Sequence, residues 1–335
     1  LQRAVTSFSQ NVAGSFLLGE IMKNSLRVIT AVSSLMSAAA MADITLYGKA
    51  NISLEWVEEG EESHTALESN ASRIGFKGSE KINDYVEAIY QLEYEAHFDD
   101  GSTTFGQRNI FAGLKGGFGQ IIGGRFDTPL KVAQNKVDLF NDLRGDIKNF
   151  ISPNDIRSQN TVMYSTPSLA GFVVNGAYIS SENEEVDDGK SVSLTYSADS
   201  LYLALAFDQN VRAENAEALR AVAQYSISGW QFGVLFEQSE NEGAEKEDAW
   251  LASVLYNLNA EWALKAQFAQ SDIPFTYATN VQTDSSESLS FGIDYKLSKN
   301  FVIYGFYTDI SAEDEGVAED VVDNSYVGLG VDFRF

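Results

Sequence analysis

Polar and apolar residues alternate with a period of two from residue 43 onward. Ile44, Leu46, Ala50, Ile52, Leu54 and Trp56 fall on one side; Thr45, Tyr47, Lys49, Asn51, Ser53 and Glu55 fall on the other. Such strict alternation is the mark of a strand with one apolar and one polar face. It recurs where Val86, Ala88, Tyr90, Leu92 and Tyr94 oppose Glu87, Gln91, Glu93 and Glu95, and again in 201–207, 232–236 and 289–297. It weakens in 108–114, 172–179 and 301–308, where both faces carry apolar residues and the register stays open. The connections alternate as well. Short breaks at 81–84, 116–119, 167–171, 198–200, 227–229, 257–260 and 298–300 separate longer, mostly polar and often acidic stretches. Those stretches are 57–67, 99–104, 126–157, 181–189, 209–216, 239–245, 271–287 and 310–323. Seven short and eight long connections join sixteen strands. An even count with every long loop at one end predicts an all-β fold, an antiparallel transmembrane β-barrel.

Period alone does not say whether the apolar face meets lipid or a soluble core; the two ends of the chain do. Met22-Lys23-Asn24-Ser25-Leu26-Arg27 supplies a basic start, 28–36 a short apolar run, and Ala40-Met41-Ala42 a small-x-small cleavage site. Residues 22–42 therefore read as a secretory signal peptide, and 1–21, which lack alternation, as an upstream translation artefact. At the other end Val327, Leu329, Val331, Phe333 and Phe335 share one face and the sequence stops on Phe. That ending resembles the signal by which outer-membrane proteins reach the barrel-assembly machinery. With apolar residues outward, the first and last strands should pair, because an open edge in lipid leaves backbone groups unsatisfied at several kcal/mol each. Trp56, Tyr164, Trp230, Trp250, Trp262 and Tyr326 sit where interfacial aromatic girdles belong.

Composition removes other classes. No run of about 20 apolar residues follows the N-terminal region, which excludes a helical membrane protein. There is no cysteine, so neither a disulfide framework nor a thiolate site is available. His64 and His97 are the only imidazoles and lie among acids at strand edges; no Gly-x-Ser-x-Gly elbow occurs. An enzyme is unsupported. The formal net charge is −25, and losing 1–42 removes Arg3, Lys23, Arg27 and Glu20, leaving 20 basic against 47 acidic residues. A chain this acidic repels phosphate backbones, so nucleic acid is excluded as a partner. No cofactor is expected. Acidic runs such as Glu58-Glu59, Glu184-Glu185, Asp187-Asp188, Glu313-Asp314-Glu315 and Glu319-Asp320 are candidates to bridge to lipopolysaccharide through divalent cations, which favour oxygen ligands. They serve equally as solvated charge that keeps loops soluble.

Five blocks in order resemble the general diffusion porins of Gram-negative outer membranes, over essentially all of 43–335. They are Ile44-Thr45-Leu46-Tyr47-Gly48-Lys49; Ser72-Arg73-Ile74-Gly75-Phe76-Lys77-Gly78; Gln107-Arg108-Asn109-Ile110-Phe111-Ala112-Gly113-Leu114; Gly123-Gly124-Arg125; and the stretch from Arg157-Ser158-Gln159-Asn160 through Tyr164-Ser165-Thr166-Pro167. The resemblance implies a sixteen-stranded homotrimer whose third long loop, here 126–157, folds into the channel as a constriction. By position it implies a basic wall of Lys49, Arg73, Arg108 and Arg157 facing loop acids Asp138, Asp142 and Asp146. Arg144 departs from the pattern, placing a bulky cation where small residues are favoured, and is a candidate modifier of the pore. Leu130, Val132, Ala133, Val137 and Leu139 are near helical spacing and predict a short helix over 128–140.

The function so implied is a water-filled channel in the outer membrane for ions and small hydrophilic solutes, mildly cation-selective given the excess of acid. A substrate-specific porin, for instance for oligosaccharides, would need an aromatic track down the lumen, whereas most aromatics fall on the lipid face. A structural anchor or adhesin would use the acidic loops alone.

Overall fold

The computed structural model describes residues 43–99, 105–276, 282–313 and 322–335. The signal segment 22–42, residues 1–21 and the acids at 314, 315, 319 and 320 lie outside them. The strands are β1 (Asp43–Glu59), β2 (Glu62–Ser69), β3 (Arg73–Asn83), β4 (Val86–Glu95), β5 (Gly106–Gly116), β6 (Gly119–Asp127), β7 (Arg157–Ser165), β8 (Phe172–Ile179), β9 (Gly189–Ala198) and β10 (Leu201–Gln209). They continue as β11 (Glu217–Ile227), β12 (Trp230–Glu240), β13 (Glu247–Asn257), β14 (Trp262–Ser271), the small hairpin β15 (Phe275–Thr276) and β16 (Gln282–Thr283), then β17 (Ser285–Ser298), β18 (Phe301–Glu313) and β19 (Val322–Arg334).

Neighbours in sequence pair antiparallel, and β1 pairs β19 from Lys49↔Arg334 to Glu59↔Asn324, so the sheet closes. β2 and β3 pair the two halves of β1. They form one wall strand interrupted at 70–72, where Ala71 takes φ 50. The wall thus has sixteen strands. Closure runs to the last residue: Gly48 N–H donates to Phe335 O at 2.9 Å, and Phe335 N–H returns to Gly48 O at 3.1 Å.

The outer face is apolar, as alternation in lipid requires. Leu46, Leu54, Leu203, Leu205, Phe232, Val234, Phe291, Val327 and Leu329 are exposed, while Lys49, Asn51, Ser53 and Glu55 point inward and are buried. Trp230 and Trp262 open strands beside short turns, Trp56 and Trp250 lie toward the long-loop end, and all four are exposed on the outside.

Three expectations change. The stretch 57–67 is not a long loop: β1 runs to Glu59, β2 starts at Glu62, and only Gly60 and Glu61 turn. The helix expected over 128–140 is a single five-residue turn, α1 (Pro129–Ala133), capped by Thr128 and stopped before Asn135, whose φ is 53. Tyr326 is no girdle residue; it faces inward and is buried, under the Arg144 guanidinium 4.9 Å from its ring centre. This inward turn also explains why 301–308 looked apolar on both faces: Tyr304 and Phe306 are buried on the inside.

What covers them is the connection 128–156. Its polar contacts fall on inward-facing residues of successive strands: Leu130 N to Ser191 Oγ, Tyr202 OH to Ala133 O, Ser253 Oγ to Val137 O, Leu139 N to Gln267 Oε1, and Ser286 Oγ to Phe150 O. The segment therefore lines the inner wall from β9 round to β17. Leu130, Val137, Phe140, Ile147, Phe150 and Ile151 are wholly buried beneath it with Leu235, Leu251, Ile310 and Val322. Each such side chain is worth about 1.5–3 kcal/mol of burial, so the loop carries the molecule's hydrophobic core inside the barrel. It lies close: a Cβ on Gly145 would meet Ser290 Oγ at 2.4 Å.

Candidate functional site

With β9 to β18 covered by the loop, the charged gap lies between the loop and the inner faces of β3 to β7. Five cationic and four anionic side chains line it, among them Arg73, Arg108, Arg157, Lys131, Lys148, Glu95, Asp127 and Asp142. Two ladder irregularities aim the wall residues. Between β4 and β5 the register shifts at Leu92/Tyr94, so that Arg108 and Asn109 share the place opposite Glu93. Between β6 and β7 it shifts at Gly124/Phe126, beside Asn160 at φ 53. A bulge of this kind bends the strand and re-aims side chains, often next to functional sites.

Each basic residue has a partner. Asp142 Oδ2 accepts from Lys49 Nζ at 2.8 Å and lies 3.4 Å from an Arg73 nitrogen. Arg108 donates through Nε to Glu93 at 3.1 Å and through a terminal nitrogen to Glu95 at 2.7 Å. Arg157 meets Asp127 at 3.0 Å, and its Nε donates to Asn109 Oδ1. Asn109 in turn donates to Asp127 and accepts from its backbone N–H. Burial works against ionisation of Asp142, but Lys49, Arg73 and Lys148 outweigh it and hold the carboxyl at about 2.

The three loop aspartates do not act alike. Only Asp142 reaches the basic wall, from the tip of the loop, where its φ of 69 is a conformation few side chains adopt. Asp138 accepts from the backbone N–H groups of Phe140 and Ile147 and from Gln267 Nε2. Burial, reinforced by Asp146, pushes its carboxyl well above the usual carboxylate range. Asp146 caps the turn Ile147–Asn149, accepting from Lys148 N and Asp142 N, and meets Lys148 Nζ at 2.8 Å. Arg144 projects to the wall: its Nε meets Glu55 at 2.7 Å and a terminal nitrogen meets Glu68 at 2.6 Å. At the root of the loop, Arg220 is wholly buried between Asp155 at 2.7 Å and Glu237 at 2.6 Å.

Sequence reasoning did not assign Glu93, Glu95, Asp127, Asn109, Lys131 or Lys148 to the gap. Alternation put Glu93 and Glu95 on the polar face of their strand; nothing in the pattern revealed that a bulge hands them Arg108.

A closed barrel with an apolar outer belt and an ion-lined bore defines a transmembrane channel protein. The chain belongs to the Gram-negative porin family, whose pattern it matches over residues 29–315. Among curated relatives, the major outer membrane protein P.IB of Neisseria meningitidis serogroup A is 27% identical over 337 residues, covering 93% of this chain and 89% of that one. The P.IB protein of Neisseria sicca is 31% identical over 179 residues, about half of each chain. Among solved structures, an anion-selective porin from Comamonas acidovorans superposes with a TM-score of 0.74 at 20% identity, over 88% of this chain and 100% of that one. Salmonella typhi OmpF, solved with daunomycin, gives 0.70 at 19% identity over 87% and 97%. The protein is an outer-membrane porin rather than an enzyme.

Proposed function

We propose that the barrel is a water-filled channel through which ions and small hydrophilic solutes diffuse passively, with a mild preference for cations. The observation that carries this reading is the gap between the loop and β3 to β7, walled by paired charges and free of an apolar plug. Lys49, Arg73, Arg108 and Arg157 form its basic side and Asp142 its loop acid. Asp138 and Asp146 shape the loop that presents Asp142, and Arg144 tethers the tip instead of narrowing the bore. The charges at the gap nearly balance, so the excess acid of the chain as a whole sets a background preference for cations at the entrance, on which the few charges bordering the gap act at closest range; rings of charge set ion preference in pores.

Selective sugar passage is disfavoured, since the inward aromatics Tyr304, Phe306 and Tyr326 are covered and offer no track. In the membrane we expect a homotrimer, assembly through Phe335, and acidic loops that bind lipopolysaccharide by way of divalent cations. The test is planar-bilayer recording of the refolded protein. Stepwise conductance with a cation-sign reversal potential in a salt gradient is expected. Absence of steps overturns the channel, and an anion sign overturns the preference.

A further inference from the structure

We propose that Glu93 and Glu95 are the residues that determine ion preference at the narrow part of this channel, because they neutralise Arg108 on the wall. The inference rests on the channel reading above and deepens it. Arg108 is the cation that the bulge between β4 and β5 turns toward the gap. Left alone, its guanidinium would attract anions into the bore. It is not left alone: two carboxylates of one strand, both on its inward face, take its Nε at 3.1 Å and a terminal nitrogen at 2.7 Å. Two acids on one base leave that patch of wall with a net charge of −1.

The two acids differ in setting. Glu93 is buried and its second oxygen accepts from Tyr47 OH at 3.0 Å, so its carboxylate is fixed on both sides. Glu95 is more open and borders the gap itself. Lys148 on the loop pairs with Asp146; the other basic groups have one wall acid, Asp127, shared by Arg157 and Lys131, and one loop acid, Asp142, shared by Lys49 and Arg73. Asp127 and Asp142 are each outnumbered by their cations. Among the described basic residues on the strand wall beside the gap, Arg108 alone is met by two carboxylates, whereas Lys148 and Arg144, each also met by two, belong to the loop; removing the Arg108 acids therefore shifts the wall toward positive charge. Tyr47 is a positioning residue here: it touches Glu93 and not the permeating ion.

The experiment is a reversal-potential measurement across a salt gradient with the full chain refolded into a planar bilayer, comparing wild type with Glu95→Gln, Glu93→Gln/Glu95→Gln and Arg108→Gln. Glutamine keeps the shape and removes the charge. Two unit charges several Å from the ion path, screened over about 10 Å, lower the cation-to-anion permeability ratio by roughly three- to ten-fold in the double variant. Glu95→Gln, which leaves the buried Glu93 intact, moves the ratio the same way by less, and Arg108→Gln moves it the opposite way. Reversal potentials in Glu95→Gln and the double variant that match wild type, with conductance retained, overturn the proposal while leaving the channel reading standing. A silent wild type sinks both.

Discussion

Replacing Arg220 by Met tests whether the root of the inner loop is held by charge or by packing. Arg220 is in contact with two wholly buried carboxylates, Asp155 and Glu237, and it also donates to Ser152 Oγ at 3.1 Å and to the carbonyl of Leu130 at 3.3 Å. Methionine fills much of the same space but leaves both acids without their partner. Breaking a buried pair in this way costs about 3–5 kcal/mol, mostly the penalty of the stranded charge. The six apolar side chains from Leu130 to Ile151 that pack on the wall contribute on the order of 10 kcal/mol together, so the loss does not eject the loop. It frees the root only. Local opening of 152–156 becomes about 10² to 10³ times more frequent at 1.4 kcal/mol per tenfold. Hydrogen exchange read by mass spectrometry on the folded barrel should therefore show faster exchange at Ser152, Asn154 and Asp155, with Phe140 to Phe150 unchanged. The triple variant Arg220→Met/Asp155→Asn/Glu237→Gln, which removes the stranded charges, should recover most of the protection. Wild-type exchange at 152–156 in the single variant would refute the reasoning.

Two further outcomes follow from the wall and the loop tip. At Gly124, with φ 150, an added Cβ would lie 2.2 Å from the carbonyl oxygen of Ile110, whereas at Gly123 nothing stands closer than 3.9 Å. Gly124→Ala should destabilise the refolded barrel by about 2–4 kcal/mol while Gly123→Ala changes little, as read from urea unfolding in lipid vesicles. For Asp142, a folded pKa of about 2 against 3.8 for the free group means its ion pairs stabilise the loop tip by about 2 kcal/mol. That contribution is complete above pH 4 and is lost as pH falls through 2. The wild-type change in single-channel conductance below pH 4 should be absent in Asp142→Asn; its persistence in that variant contradicts the assignment.

The barrel was legible because in a water-filled, lipid-coated cylinder every strand obeys one rule, apolar out and polar in. The loop obeys another. Where 128–156 lies on the wall, the inside becomes a hydrophobic core, so Tyr304, Phe306, Ile310 and Tyr326 turn inward and apolar residues cease to indicate lipid. Asp138, Asp142 and Asp146 match by position the acidic side of the family's constriction and so read as one group. Positive φ at Asn135 and Asp142 breaks any helical phase, leaving two of the three as staples of the loop's own backbone. Arg108 was legible as an inward cation from its block. Its partners were hidden because a bulge changes which residues face each other without changing the residues. The hairpin of β1 and β2 was missed for a simpler reason: above the lipid a strand needs no apolar face, so Glu58, Glu59 and Glu62 look like loop while pairing as strand.

The distribution of charge operates at two distances, and each has a different role. Within the gap, acids and bases meet at about 3 Å, from Lys49 with Asp142 to Arg157 with Asp127. At that separation salt screens little, and the pairs hold side chains in place and keep the bore wet and charged. Charge on the long loops acts through water, where its influence fades over about 8–10 Å at ordinary salt. Acid at the mouths can thus enrich cations at the entrance but cannot dictate what happens at the narrowest point. There the balance is set by the few charges that border the gap, which is why a single surplus carboxylate at Arg108 carries more weight than any one acid of the loops.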